Sequence, residues 1–94
     1  MSNERFVVGD VIQHFKRETV ENPVAEYLYG YMGTARHAET GEVLAIYKAL
    51  YDSPDGHVKK FDIFVRPYDM FMSEVDHEKY PEIKQKYRFE KYEA

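Results

Sequence analysis

Arg36, His37, Tyr47, Lys48, Tyr51 and Arg66 are the residues of this chain whose types and spacing offer chemistry. A guanidinium at Arg36 or Arg66 can clasp a carboxylate or a phosphate through its planar fork. His37 offers an imidazole as a general base. Tyr47, Lys48 and Tyr51 set stacking rings around a cation, the combination with which β platforms hold single-stranded nucleic acid. Each feature also has a structural reading. The arginines can pair with Glu42 or Glu74 and lock strand ends. His37 can simply hydrogen-bond at the surface. The tyrosines can pack as a second small core under the tail of the chain.

Other chemistry is poorly served. There is no cysteine, which excludes a disulfide, a thiolate zinc site and a cysteine nucleophile, and fits a reducing cytoplasm. His14, His37, His57 and His77 lie in four separate segments without the His-x-x-x-His spacing of a metal helix. His37 and Glu39 flank one turn, where a surface hydrogen bond is the simpler role; no metal or cofactor is expected. Ser73, Asp76 and His77 are neighbours in sequence, whereas triads are assembled from separate elements and recognised by geometry. Carboxylates number 17, but an acid–base pair needs surroundings that push two pKa values apart. Gly30, Gly33 and Gly41 are spread along a hairpin rather than clustered before a helix, so no phosphate loop is present.

The formal net charge is −4, which argues against binding to nucleic acid through a broad basic face. A local strip of Arg36, Lys48, Lys59, Lys60 and Arg66 remains available. Nothing approaches the run of about 18 apolar residues that spans a membrane, and Met1 to Arg5 lack a signal-peptide stretch. The expectation is a cytoplasmic domain with no membrane partner.

These side chains must be positioned by a small scaffold. Ninety-four residues make a single domain over 1–94, burying roughly 60–65% of its unfolded surface around one modest core. Val7 to Phe15 reads as a first extended segment broken at Gly9-Asp10. Thr19 to Ala25 reads as a loop. Tyr27 to His37 and Val43 to Asp52 read as two strands joined by a Thr40-Gly41 turn with a G1 bulge, in which Ala38 pairs with Glu42. Ser53-Pro54-Asp55-Gly56 is a turn, and Val58 to Arg66 alternates as a fourth strand. Pro67 stops that strand and opens a helical turn over Tyr68 to Val75, with Met70 and Phe71 inward. In the charged segment after Val75, the alternation of Lys86 to Tyr92 favours a strand over a helix.

Short strands with closely spaced turns point to a mainly β fold, with a small SH3-like half-open barrel the best match in size. The hairpin register divides the side chains between two faces. Tyr29, Tyr31, Tyr47 and Tyr51, interleaved with Gly33, Ala45 and Ala49, share one face, with His37 at its end. Leu28, Met32, Leu44, Ile46 and Leu50 share the other, which is the expected core. A one-residue slip would exchange the two faces.

Four segments carry a family resemblance: Gly-x-Val-x-x-His-Phe-Lys at Gly9 to Lys16, Ala-Arg-His-Ala-Glu-Thr-Gly-Glu at Ala35 to Glu42, Tyr-Lys-Ala-Leu-Tyr at Tyr47 to Tyr51, and Val-Arg-Pro-x-x-Met-Phe at Val65 to Phe71. In this order they resemble a family of small bacterial proteins, domain of unknown function family 1653. The resemblance covers most of residues 9–75. It implies a compact SH3-like β domain and no established substrate, cofactor or mechanism. Arg36, His37, Glu42, Tyr47, Tyr51 and Arg66 are its motif residues with chemistry to offer. The loop Glu18 to Ala25 and the charged extension 76–94 depart from its usual pattern.

The resulting expectation is a binding or interaction module rather than an enzyme, with the tyrosine face as its binding surface. Its partner would be a peptide segment or a second copy of the chain. The alternative is a binder of nucleotides or single-stranded nucleic acid that uses Arg36, Tyr47, Lys48, Tyr51 and Arg66. A third reading is a small enzyme with His37 as base and Arg36 or Arg66 as anion clamp.

Overall fold

The computed structural model describes residues 5–93. Five antiparallel strands form one sheet: β1 (Val11–His14), β2 (Leu28–Arg36), β3 (Val43–Ala49), β4 (Ile63–Pro67) and β5 (Phe89–Lys91). Their spatial order is β4-β3-β2-β1-β5. A 3₁₀ turn, Phe15–Thr19, follows β1, and the short helix α1, Tyr68–Phe71, follows β4. The fold is mainly β as expected, and its sheet is open. The two edge strands do not pair, yet the sheet curls until the Arg66 guanidinium of β4 lies 5.9 Å from the ring of Phe89 on β5.

The β2–β3 hairpin is built from local chemistry. The His37 N–H donates to the Glu42 carbonyl at 2.7 Å, and the Gly41 N–H donates to the His37 carbonyl at 2.9 Å. Residue 37 therefore faces residue 42, and the turn is one residue longer than the Ala38–Glu42 pairing expected from sequence. Gly41 sits at φ 75°, where a Cβ is unfavourable. His37 Nδ1 accepts the amides of Glu39 and Thr40, so this imidazole caps the turn.

The longer turn alone would have exchanged the faces. A β-bulge at Met32 restores them: Gly33 pairs with Ile46 on one side of it, Tyr31 with Tyr47 on the other. Gly33 takes φ 112°, and a Cβ there would lie 3.4 Å from Val8 Cγ2. Gly33→Ala is expected to destabilise the domain by about 1 kcal/mol or more. The check is a fall of at least ~4 °C in Tm; an unchanged Tm would contradict the strain argument.

The core is on the tyrosine face, which corrects the expectation of an aliphatic core. Tyr29, Tyr31, Tyr47 and Tyr51 are buried with Ala45 and Ala49, beneath the fully buried rings of Phe71 and Phe89. Of the aliphatic set, Leu28 is buried, Met32 is exposed, and Leu44, Ile46 and Leu50 are half-buried on the outer face of the sheet. The physical reason is area. Each aromatic ring removes about 150–250 Å² from water, and the small residues between the tyrosines let the rings lie on the sheet. Their hydroxyls do not oppose burial, because they find partners. The Tyr29 and Tyr51 hydroxyls lie 3.2 Å apart, and Arg66 Nε donates to the Tyr47 hydroxyl at 3.1 Å.

The segment after Val75 is part of this architecture rather than an appendage. It supplies β5, which pairs with β1, as its alternating pattern suggested. Gln85 is buried and fastens it: its Nε2 donates to the carbonyls of Gln13, Tyr87 and Arg88, and its Oε1 accepts from Gln13 Nε2. The Glu18 carboxylate takes the amides of Lys84 and Gln85. Phe15, Val75 and Ile83 form a second small cluster, with Tyr80 against it. The helix expected over Tyr68 to Val75 closes at Phe71; Phe71 is buried, but Met70 points out. Among the described residues, no helix is long and apolar enough to cross a membrane.

Candidate anion-binding site

The residues singled out from sequence do not form one patch. Arg36 and His37 stand on the exposed tip of the β2–β3 hairpin. Tyr47 and Tyr51 lie in the core. Lys48 is on the outer face, its Nζ 5.4 Å from the ring of Phe61. Only Tyr47 and Arg66 meet. The expected Arg36–Glu42 and Arg66–Glu74 ion pairs are not formed; among the described residues, the ion pairs are His57–Asp55 and Lys91–Asp10. Arg66 bonds instead to the Tyr47 hydroxyl and to Met70 Sδ at 3.7 Å.

Arg66 leads to a cavity of about 300 Å³ on the concave side of the sheet. Three further parts of the chain join Arg66 of β4 in walling it. The end of β1 and its 3₁₀ turn supply His14, Phe15 and Lys16; the segment after α1 supplies Asp76, Lys79 and Tyr80; the approach to β5 supplies Arg88. His14 is held rigidly. Its Nδ1 accepts the Lys16 amide at 3.1 Å, capping the 3₁₀ turn. Its ring stacks on Phe15 at 4.4 Å and meets Phe89 edge-on at 5.0 Å. With Nδ1 accepting, Nε2 carries the proton and is the donor. Arg88 Nε donates to Ser73 Oγ at 3.4 Å, and Asp76 Oδ1 is engaged by the amides of Glu78 and Lys79.

Electrostatically the cavity is positive, although the chain is acidic. Four cations, Lys16, Arg66, Lys79 and Arg88, face one carboxylate, Asp76. The effect is visible on neighbouring groups. His14 is pushed down to about 3, by burial first and then by Arg66, Arg88 and Lys16. Burial and the adjacent Arg66 also push Arg88 down. Among the described residues neither guanidinium has a carboxylate partner. Two unneutralised forks beside a neutral His N–H donor suit an oxyanion. They do not suit a metal, and no cluster of metal-ligating side chains occurs among the described residues.

Sequence reasoning reached Arg66 and Tyr47 but missed His14, Lys16, Lys79 and Arg88 as a site. The segment Gly9 to Lys16 did contain His14 and Lys16. No spacing along the chain joins them to Arg88, however, because 71 residues of chain intervene between Arg88 and Lys16 and only the return of the tail to β1 brings them together.

No curated protein and no solved structure matches the chain significantly. A family model does match, over residues 10–91. That span runs from the start of β1 to the end of β5, so it takes in every strand and all the segments that wall the cavity. On this match, the chain belongs to the family described as Protein of unknown function (DUF1653).

Proposed function

We propose that this domain is a non-enzymatic binding module whose ligand is a small oxyanion, a phosphate or carboxylate group, held in the cavity between His14, Arg66 and Arg88. The observation that carries this reading is the convergence of four cations on one concave site with a single carboxylate among them. In an acidic chain this arrangement keeps like charges together at an energetic cost that an anion would remove. The tyrosine face does not serve as the binding surface in this reading, because its rings are the core. The hairpin tip does not serve as a catalytic site either, because His37 Nδ1 is committed to two turn amides.

The test is an NMR titration at low salt with inorganic phosphate, sulfate and succinate, reading backbone amides and arginine Nε–H groups. Saturable shifts are expected at His14, Arg66 and Arg88. The ranking of the three anions separates phosphate from carboxylate recognition. Arg66→Gln and Arg88→Gln should each weaken binding about 10-fold or more, since a charge-assisted hydrogen bond contributes about 1.5–3 kcal/mol. Shifts that fail to saturate at tens of millimolar, or that persist unchanged in both variants, would refute the reading.

A nucleotide is the second reading, favoured by Tyr80, whose half-buried ring lies in the cavity wall beside the cations. Adenosine monophosphate binding much more tightly than phosphate, with added shifts at Tyr80, would select it.

A further inference from the structure

Strand β4 is a free edge, and three observations make it unusual. Its exposed side chains are apolar: Ile63 is 60% and Val65 58% exposed. Arg66 on its inward face and Pro67 at its end are the kinds of residue that blunt an edge, but its exposed row, Ile63 and Val65, carries no charge. Immediately before it, Phe61 occupies a G1-type bulge. The Phe61 N–H donates to the Ala49 carbonyl, and the Ala49 N–H donates to the Asp62 carbonyl. Phe61 has φ 77°, the conformation this bulge reserves for glycine. The strain is not recovered by burial, since the ring is 59% exposed.

The hydrogen-bond direction along β4 follows from that bulge. Ala49 bonds to Asp62, and Tyr47 and Ala45 stand opposite Phe64 and Arg66. Antiparallel ladders alternate bonded and non-bonded pairs. Phe64 and Arg66 therefore bond inward to β3, while the N–H and C=O groups of Ile63 and Val65 face the open edge.

We propose that β4 is a self-association edge, on which a second copy of this chain pairs antiparallel with Ile63 opposite Val65 of the second copy. A two-fold axis at Phe64 generates this register. Its outer row then sets Ile63 against Val65 twice, with Phe61 against Pro67 at each end. The inner row sets Phe64 against Phe64, and Asp62 against Arg66 at both ends. Apolar residues meet apolar residues, and Asp62 and Arg66, each also hydrogen-bonded within its own copy, stand opposite one another twice. The neighbouring registers are worse. Centring on Ile63 places Lys60 against Arg66, a like-charge pair; centring on Val65 leaves Asp62 against Tyr68 and Arg66 against Phe64. Cross-strand pairs of opposite charge favour a register, and like charges oppose it. The second copy supplies the strand that the edge lacks, and it covers the strained, exposed Phe61.

Sedimentation velocity over a concentration series of the full chain tests this. A reversible dimer is expected. Val65→Lys should weaken association at least ~10-fold, because symmetry places the new charge in the paired row twice. Asp62→Arg should do the same by setting cation against cation. Combining Asp62→Arg with Arg66→Asp should restore the dimer. Dispersed amide spectra check that each variant is folded, and if one fails to fold the other still decides. A wild-type chain that stays monomeric to high concentration would overturn the proposal and leave the edge to a strand from another protein or to a lipid surface. So would a dimer that both single variants leave intact. Loss of anion binding with the dimer unaffected would refute the cavity reading alone.

Discussion

Phe89→Ala is expected to cost about 3–5 kcal/mol, the range for removing a fully buried ring. Phe89 is fully buried and joins the tail to the sheet. It stacks on Phe71 at 4.5 Å, meets Tyr47 at 5.2 Å and Tyr29 at 5.9 Å, and touches His14 edge-on at 5.0 Å. A small domain has a net stability of only about 5–15 kcal/mol. The variant should therefore sit near the edge of unfolding. A denaturant midpoint for wild type and variant measures the difference. Phe61→Gly is the contrasting control: it removes an exposed ring from a positive-φ position and should leave a monomer's stability unchanged or raised. A Phe89→Ala variant within about 1 kcal/mol of wild type would show that the aromatic cluster is not the core. The same packing makes Tyr47→Ser and Tyr51→Ser folding lesions. From sequence alone, that pair would have been expected to lose binding and keep the fold.

The second large effect is on pH stability. His14 falls to about 3 in the folded domain, from an ordinary 6.5, because burial and then Arg66, Arg88 and Lys16 disfavour its charged form. Between these two values the unfolded chain binds a proton that the folded chain does not. Stability is therefore full above about pH 6.5 and falls as the pH drops toward 3, by about 1.4 kcal/mol per pH unit. Between pH 6.5 and 5, before most carboxylates titrate, the loss should be roughly 2 kcal/mol. His14→Asn retains an acceptor for the Lys16 amide and removes the titrating group, so its stability profile should be flat over that window. His57 is raised by Asp55, a shift of opposite sign at an exposed site, and His57→Gln serves as background. Equal slopes for wild type and His14→Asn would rule out the assignment. If a phosphate occupies the cavity, its charge opposes that of the arginines, and the wild-type slope should become shallower.

Much of the scaffold is local, and so it was legible residue by residue. Thr40-Gly41 marks a turn because glycine tolerates positive φ, and Gly41 adopts it. Pro67 ends β4 because it has no N–H to donate, and the helix begins at the next residue. The alternation within the strands expected over Val58 to Arg66 and Lys86 to Tyr92 marked the two edges of the sheet, but β4 starts only at Ile63, after the positive-φ bulge at Phe61, and β5 is confined to Phe89–Lys91. The grouping of Tyr29, Tyr31, Tyr47 and Tyr51 on one face was also correct, although the pairing behind it was not. The turn is one residue longer than expected, and the Met32 bulge cancels the error in parity.

The amino-acid sequence by itself thus determined the strands, the turns and which tyrosines travel together, because these follow from periodicity and from the backbone limits of glycine and proline. Tertiary structure decided which face is the core and where the cations meet. The first depended on whether Phe71 and Phe89 would fold over the rings, a comparison of buried areas between segments far apart in the chain. The second depended on a buried amide, Gln85, tying the tail to β1 so that Arg88 stands beside Arg66 and His14. Neither choice has a local signal, because each is a property of surfaces that exist only after the sheet has curled.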